Sequence, residues 1–182
     1  MKTILFIIGS TRAKSFNLQT AKYVESKLAG KAGIKYLDFT DLPFVNQDQE
    51  NPVLEVVARI RKEVMEADGL WIFSPEYNFS YPGYLKNLLD WLSRPKDPNI
   101  LNGPTAIAGK KVTISGAGGA FATKGMKDKL TELLEFIKAD VMKTPMTGIH
   151  VNQDAWTTDV LLLSNEDKKH LQDQAEAFLK FI

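Results

Sequence analysis

The run Ile4-Leu5-Phe6-Ile7-Ile8 breaks off at Gly9-Ser10-Thr11-Arg12, and this junction constrains the fold more than any other part of the chain. An apolar stretch without alternation suits a strand covered on both faces, the position of a central strand in a parallel sheet. Parallel strands need a crossover, and the residues after the polar loop supply one. Leu18, Ala21, Tyr23, Val24 and Leu28 recur at helical spacing from about Asn17 to Ala29, and Gly30 is placed to end that helix.

The alternation continues along the chain. Strands are expected at Ile34 to Phe39, Leu70 to Phe73, Lys111 to Ser115 and, more weakly, around Asp140 to Ile149. Helices are expected from about Val53 to Ala67, Pro82 to Ser93, Lys124 to Lys138 and Asn165 to Lys180. Ser164 and Asp167 form a capping-box-like pair before the last of these, with Asp in place of Glu or Gln. This pattern predicts an α/β chain with a five-stranded parallel sheet in the order 2-1-3-4-5 and helices on both faces, a flavodoxin-like three-layer sandwich. Such sheets bind ligands outside the carboxyl ends of the strands, where strand order reverses. Chemistry is therefore expected in the loops after strands one and three.

Size and composition narrow the alternatives. The 182 residues suit one domain spanning 1–182, with no repeat or linker, and the Pro95 to Gly109 stretch reads as a long loop. A net charge of +1 gives no electrostatic reason to expect nucleic acid or an acidic membrane as partner. With no cysteine there is no disulfide, thiolate nucleophile or sulfur-bound metal, and His150 and His170 show no metal-ligand spacing. The N-terminal apolar run is too short to span a bilayer and lacks a cleavage site, so a cytoplasmic protein is expected.

Three loops carry candidate chemistry. In Gly9-Ser10-Thr11-Arg12-Ala13-Lys14-Ser15-Phe16-Asn17, hydroxyls of Ser10, Thr11 and Ser15, the planar fork of Arg12 and the amide of Asn17 meet the positive end of a helix. That set suits a phosphate monoester. A simpler reading has Ser15 or Asn17 capping the helix and Arg12 solvated. Neither a Walker pattern nor a dinucleotide fingerprint is present. Gly103 to Lys111 has one intervening residue too many, and no glycine follows Gly9 at the needed spacing.

The second loop, Ser74-Pro75-Glu76-Tyr77-Asn78-Phe79-Ser80-Tyr81-Pro82-Gly83, combines rigid prolines with three aromatic faces suited to a planar ligand or to internal packing. The third, Ser115-Gly116-Ala117-Gly118-Gly119, lets a backbone approach a ligand closely or simply turns tightly. The helix after the aromatic loop is apolar on more than one side, through Leu85, Leu88, Leu89 and Leu92 and again through Tyr84 and Trp91. A second subunit, or the Pro95 to Gly109 loop, is expected to cover the extra side.

Together, Gly-Ser-Thr-Arg-x-x-Ser-x-Asn after strand one and Ser-Pro-Glu-Tyr-Asn-x-Ser-x-Pro-Gly-x-Leu-Lys-Asn-x-x-Asp-Trp after strand three resemble the NADPH-dependent FMN reductase family, which includes quinone, chromate and azo-dye reductases. The resemblance covers nearly the whole chain. It implies FMN as cofactor and NADPH or NADH as co-substrate, with the FMN phosphate on Ser10, Arg12, Ser15 and Asn17 and amide help near Phe16. Pro75, Glu76, Tyr77 and Asn78 would border the flavin ring, approached from the other side by Ser115, Gly116, Gly118 and Gly119. It further implies a homodimer or homotetramer built on the helix Pro82 to Ser93. No side chain is then required as the catalyst, because the flavin accepts hydride and passes electrons to a small acceptor in ping-pong turnover. The competing readings are a flavodoxin-type electron carrier and a non-flavin interaction module on the same fold.

Overall fold

A computed structural model describes residues 1–182. Six strands are present: β1 (Thr3–Ile8), β2 (Gly33–Tyr36), β3 (Gly69–Phe73), β4 (Lys111–Gly118), β5 (Asp140–Val141) and β6 (Gly148–His150). The helices are α1 (Phe16–Leu28), α2 (Glu55–Glu66), α3 (Gly83–Ser93), α4 (Lys124–Phe136), α5 (Gln153–Thr158) and α6 (Asn165–Phe181). All strand pairs are parallel, in the order β2-β1-β3-β4-β5, the expected flavodoxin-like arrangement. No helix is long and apolar enough to cross a membrane.

The period of two along each strand divides the core into two layers. Leu5, Ile7, Leu70, Ile72, Val112 and Ile114 face the layer formed by α2, α3 and α4. Ile4, Phe6, Trp71, Phe73 and Ala117 face α1 and α6. Central strands covered on both sides carry no polar face, which is why β1 and β3 read as unbroken apolar runs. The capping box at α6 is present, with Ser164 and Asp167 exchanging both bonds.

Three expectations are corrected. First, β4 does not end at Ser115 but continues through Gly118, so Gly116 and Gly118 are strand residues and not a turn. A glycine-rich stretch reads as a loop because glycine gives up the most backbone freedom in a strand. Here pairing with β6 supplies the missing preference, with Gly116 opposite Gly148 and Gly118 opposite His150.

Second, the fifth strand is two short strands on the same edge of β4, interrupted around Thr144-Pro145, where proline has no N–H for the ladder. The amide of Gln174 on α6 fills the interruption. It donates to the Ile114 carbonyl at 2.9 Å and to Thr113 Oγ1 at 2.8 Å, and it accepts from the Thr147 N–H at 2.8 Å and the Ser115 hydroxyl at 3.0 Å. A side-chain amide thus stands in for a missing strand peptide.

Third, the extra apolar side of α3 is covered within the chain, by the segment between β2 and α2. Phe39 stacks on Tyr84 at 4.2 Å, and the Pro43 carbonyl accepts from Trp91 Nε1 at 2.8 Å and Asn87 Nδ2 at 2.9 Å. Arg94 makes a two-point pair with Glu50. The apolarity of α3 is therefore not by itself a sign of a second subunit.

Candidate functional site

The carboxyl ends of β1, β3 and β4 open onto one mouth. At its centre β1 and β3 approach closely: the Gly9 N–H donates to the Phe73 carbonyl at 2.8 Å, and a Cβ on Gly9 would lie 2.8 Å from Ser74 Oγ. A side chain here would press on Ser74, so glycine eases the chain's exit from β1.

On one side of the mouth is the loop Ser10 to Asn17. Ser15 is the N-cap of α1 and accepts from the Leu18 N–H at 3.3 Å, while its own N–H donates to the Arg12 carbonyl at 3.0 Å. The loop is thereby curled back onto the start of α1. The N–H groups of Thr11, Ala13, Lys14, Phe16 and Asn17 meet no protein acceptor. Unpaired amides at a helix N-terminus are suited to receive an anion, and the loop Ser10 to Asn17 is in that sense a candidate cradle. Thr11 and Arg12 are exposed beside it, and the Arg12 guanidinium lies 5.0 Å from the Phe16 ring centroid. Arg12 and Lys14 both pair with Asp159, at the end of α5. Trp156 of α5 packs edge-on against Phe16 at 5.0 Å.

Asn17 has a different place from the one expected. It is buried, and its amide donates to the Ala117 carbonyl at 3.0 Å and accepts from the Ala117 N–H at 2.9 Å. This clamp fixes α1 to the end of β4, so Asn17 offers the cradle its backbone N–H while its side chain is held inside.

Across the mouth, the aromatic loop forms a tight hairpin. Tyr77 and Ser80 exchange backbone bonds at 2.8 and 3.0 Å, and Asn78 and Phe79 between them have φ of 51° and 58°. Two left-handed residues at the tip are the signature of a type I′ turn, unusual for Phe. Such strain persists where the surroundings enforce it, and it is concentrated at binding and catalytic loops. The turn leaves Tyr77 55% and Phe79 59% exposed. Phe79 meets Phe121 at 5.7 Å between centroids. Pro75 is buried, and the Glu76 carboxylate accepts from the Met126 N–H in the first turn of α4.

The third loop contributes less than expected. The Ser115 hydroxyl is buried on the α6 side of the sheet, between Trp71 Nε1 at 3.0 Å and Gln174. A Cβ on Gly116 would lie 2.3 Å from Thr123 Oγ1 and 2.7 Å from the Ser74 carbonyl oxygen, so its missing side chain serves packing. Of the four residues expected here, Gly119 alone is exposed, with open space where a Cβ would stand, and Gly118 lies just behind it.

Three residues at this mouth escaped the sequence reading: Phe121, Trp156 and Asp159. None sits in a recognisable motif, and α5 is too short to leave a helical period. A groove of about 530 Å³ along α1, walled by Leu18, Tyr23, Leu161 and Leu163, contains none of the residues from Ser10 to Asn17.

Residues 2–153 match the family described as NADPH-dependent FMN reductase. A 2-hydroxy-1,4-benzoquinone reductase from Burkholderia is 31% identical, over 98% of this chain and 95% of its own. A quinone reductase from Escherichia coli K12 is 32% identical, over 98% and 94%. Among solved structures, the flavoenzyme NAD(P)H:(acceptor) oxidoreductase of Paracoccus denitrificans superposes with a TM-score of 0.85 at 28% identity, covering 99% of this chain and 96% of that one. An archaeal flavodoxin, at 12% identity and a TM-score of 0.60, shares the fold. The chain belongs to the NADPH-dependent FMN reductase family.

Proposed function

We propose that this protein is an FMN-dependent NAD(P)H:quinone oxidoreductase, with the FMN phosphate in the cradle at Ser10 to Asn17 and the flavin ring beside the aromatic hairpin. The observation that carries the reading is the set of unpaired N–H groups at Thr11, Ala13, Lys14, Phe16 and Asn17, flanked by the hydroxyls of Ser10 and Thr11 and the guanidinium of Arg12. These residues fit a phosphate monoester in charge and in donor chemistry. The exposed rings of Tyr77, Phe79 and Phe121, together with the small Gly118 and Gly119, fit a flat ring system next to it.

When bound, FMN supplies the hydride and electron chemistry, so no side chain acts as catalyst. The protein's part is to hold and orient. The cradle would fix one end and the hairpin would border the other, while Asn17 and Glu76 lock the two loops onto β4 and α4. An open mouth with aromatic edges accepts a planar quinone in the place that NAD(P)H has vacated, which leads to ping-pong turnover. Cytoplasmic residence fits this chemistry. Assembly into a homodimer or homotetramer, through the face that carries α3, follows from the family likeness, and Phe44, Leu101 and Phe136, 82%, 90% and 83% exposed, are among the apolar side chains a second subunit could cover.

Initial-rate kinetics of NADPH oxidation by FMN-loaded protein, measured at several concentrations of menadione, test this function. Parallel double-reciprocal lines are expected. Intersecting lines exclude ping-pong turnover, and absence of NADPH oxidation leaves an electron carrier.

A further inference from the structure

The cradle contains an anion of its own. Asp159 pairs with the guanidinium of Arg12, and its other carboxylate oxygen stands 3.3 Å from Lys14 Nζ. A carboxylate at a phosphate site either competes for the cations or holds them in place.

The way Asp159 is fixed decides between these. Its N–H donates to the Ala155 carbonyl at 2.8 Å, closing α5, and its backbone is left-handed, with φ of 62°. Gln19 of α1 then fastens the segment from both ends. Its amide donates to the Asp159 carbonyl at 2.9 Å and to the Lys14 carbonyl at 3.3 Å, while its oxygen accepts from the Leu161 N–H at 2.8 Å. Asp159 is thus anchored to the same helix that presents the cradle. Arg12, by contrast, has a side chain 42% exposed, and without a partner it would sample many rotamers.

From this geometry we infer that Asp159 is a positioning residue for phosphate recognition: together with the Phe16 ring it holds the Arg12 guanidinium at the cradle before FMN arrives. Asp159 takes one terminal nitrogen, which leaves the remaining N–H groups of the fork for phosphate oxygens. Lys14 offsets the carboxylate's own repulsion of the ligand, so the trio Arg12, Lys14 and Asp159 retains one net positive charge. Asp159 lies beyond the residues 2–153 that match the family. The inference rests on the proposed seat of the FMN phosphate.

The test is a set of binding titrations, by flavin fluorescence, with FMN and with riboflavin, which lacks the phosphate. The variants are Asp159→Asn, Arg12→Ala and the double variant. Asn tolerates the left-handed backbone and keeps the side chain's shape, so the fold is preserved. Asp159→Asn is expected to weaken FMN roughly three- to tenfold, the factor for ordering one long side chain on binding, and to leave riboflavin unchanged. In the Arg12→Ala background the same change is expected to cause no further loss. Unchanged or tighter FMN binding by Asp159→Asn in the presence of Arg12 overturns the positioning role, as does an equal loss for riboflavin. If Arg12→Ala itself binds FMN normally, Arg12 does not hold the phosphate and the positioning role falls alone; the seat of the phosphate falls as well only if the unaltered protein binds riboflavin as tightly as FMN.

Discussion

The carboxylate of Glu76 accepts a hydrogen bond from the backbone N–H of Met126 at 2.7 Å. It thereby caps α4 from a loop fifty positions away in sequence. The N-cap of α4, Thr123, is left-handed and makes no side-chain cap bond of its own. Glu76 therefore satisfies an orphan donor, places negative charge at a helix N-terminus and ties the strained hairpin to the loop that carries Phe121. Glu76→Ala is expected to lower unfolding stability by about 0.5–2 kcal/mol, and Glu76→Gln by less, since it keeps an acceptor. Urea denaturation of the two variants measures the difference.

Asn17 yields a prediction that separates packing from ligand binding. Asn17→Leu leaves the N–H and carbonyl of Ala117 buried without partners, which costs roughly 1–3 kcal/mol per unsatisfied group. Cofactor-free protein is therefore expected to lose stability, measured by denaturant unfolding before any FMN is added. A variant that loses FMN affinity with unchanged stability would mean that the side chain leaves Ala117 for the ligand.

Two glycines of the β4 segment should behave oppositely. Gly116→Ala places a methyl 2.3 Å from Thr123 Oγ1 and 2.7 Å from a backbone oxygen. Overpacking of this kind costs typically about 1–3 kcal/mol, and a lowered unfolding midpoint is expected. Gly119→Ala meets nothing within 4 Å and should be neutral in the same assay. Equal effects at the two positions would contradict the strand assignment.

That contrast also shows what the sequence could reveal. The first junction was legible because each local signal agreed: the apolar run of β1, the close approach at Gly9 and the cap at Ser15 lie within a few residues of one another. The seat of Ser115 and Gly116 was not legible, because strand pairing with β6 and burial against Gln174 and Thr123 come from distant elements. The covered side of α3 looked like an interface for the same reason, since Phe39 and Pro43 carry no mark that they fold over it. Asp159 reaches Arg12 across more than half of the chain, so no spacing rule finds it.

Alkaline pH offers an independent check on the packing around α1. Burial, and then donation of its hydroxyl to Glu25 at 2.9 Å, raise the pKa of Tyr36 above the ordinary phenol value of 10.0. The folded state therefore holds this proton more tightly than the unfolded chain. Its contribution to stability is complete below the unfolded pKa and disappears as pH rises through the folded one. The thermal midpoint is expected to fall above about pH 10, and to fall less steeply in Tyr36→Phe. Parallel pH profiles for the two proteins would contradict the shift.

The central claim is that the mouth formed by the Ser10 to Asn17 cradle and the Tyr77 to Phe79 hairpin holds FMN for reduction by NAD(P)H. The most direct measurement is the visible spectrum of FMN-loaded, desalted protein, recorded anaerobically before and after NADPH and again after a quinone is added. Retained flavin absorbance that bleaches with NADPH and returns with quinone is the predicted result. Flavin lost on desalting, or retained but unbleached by both NADPH and NADH, contradicts it.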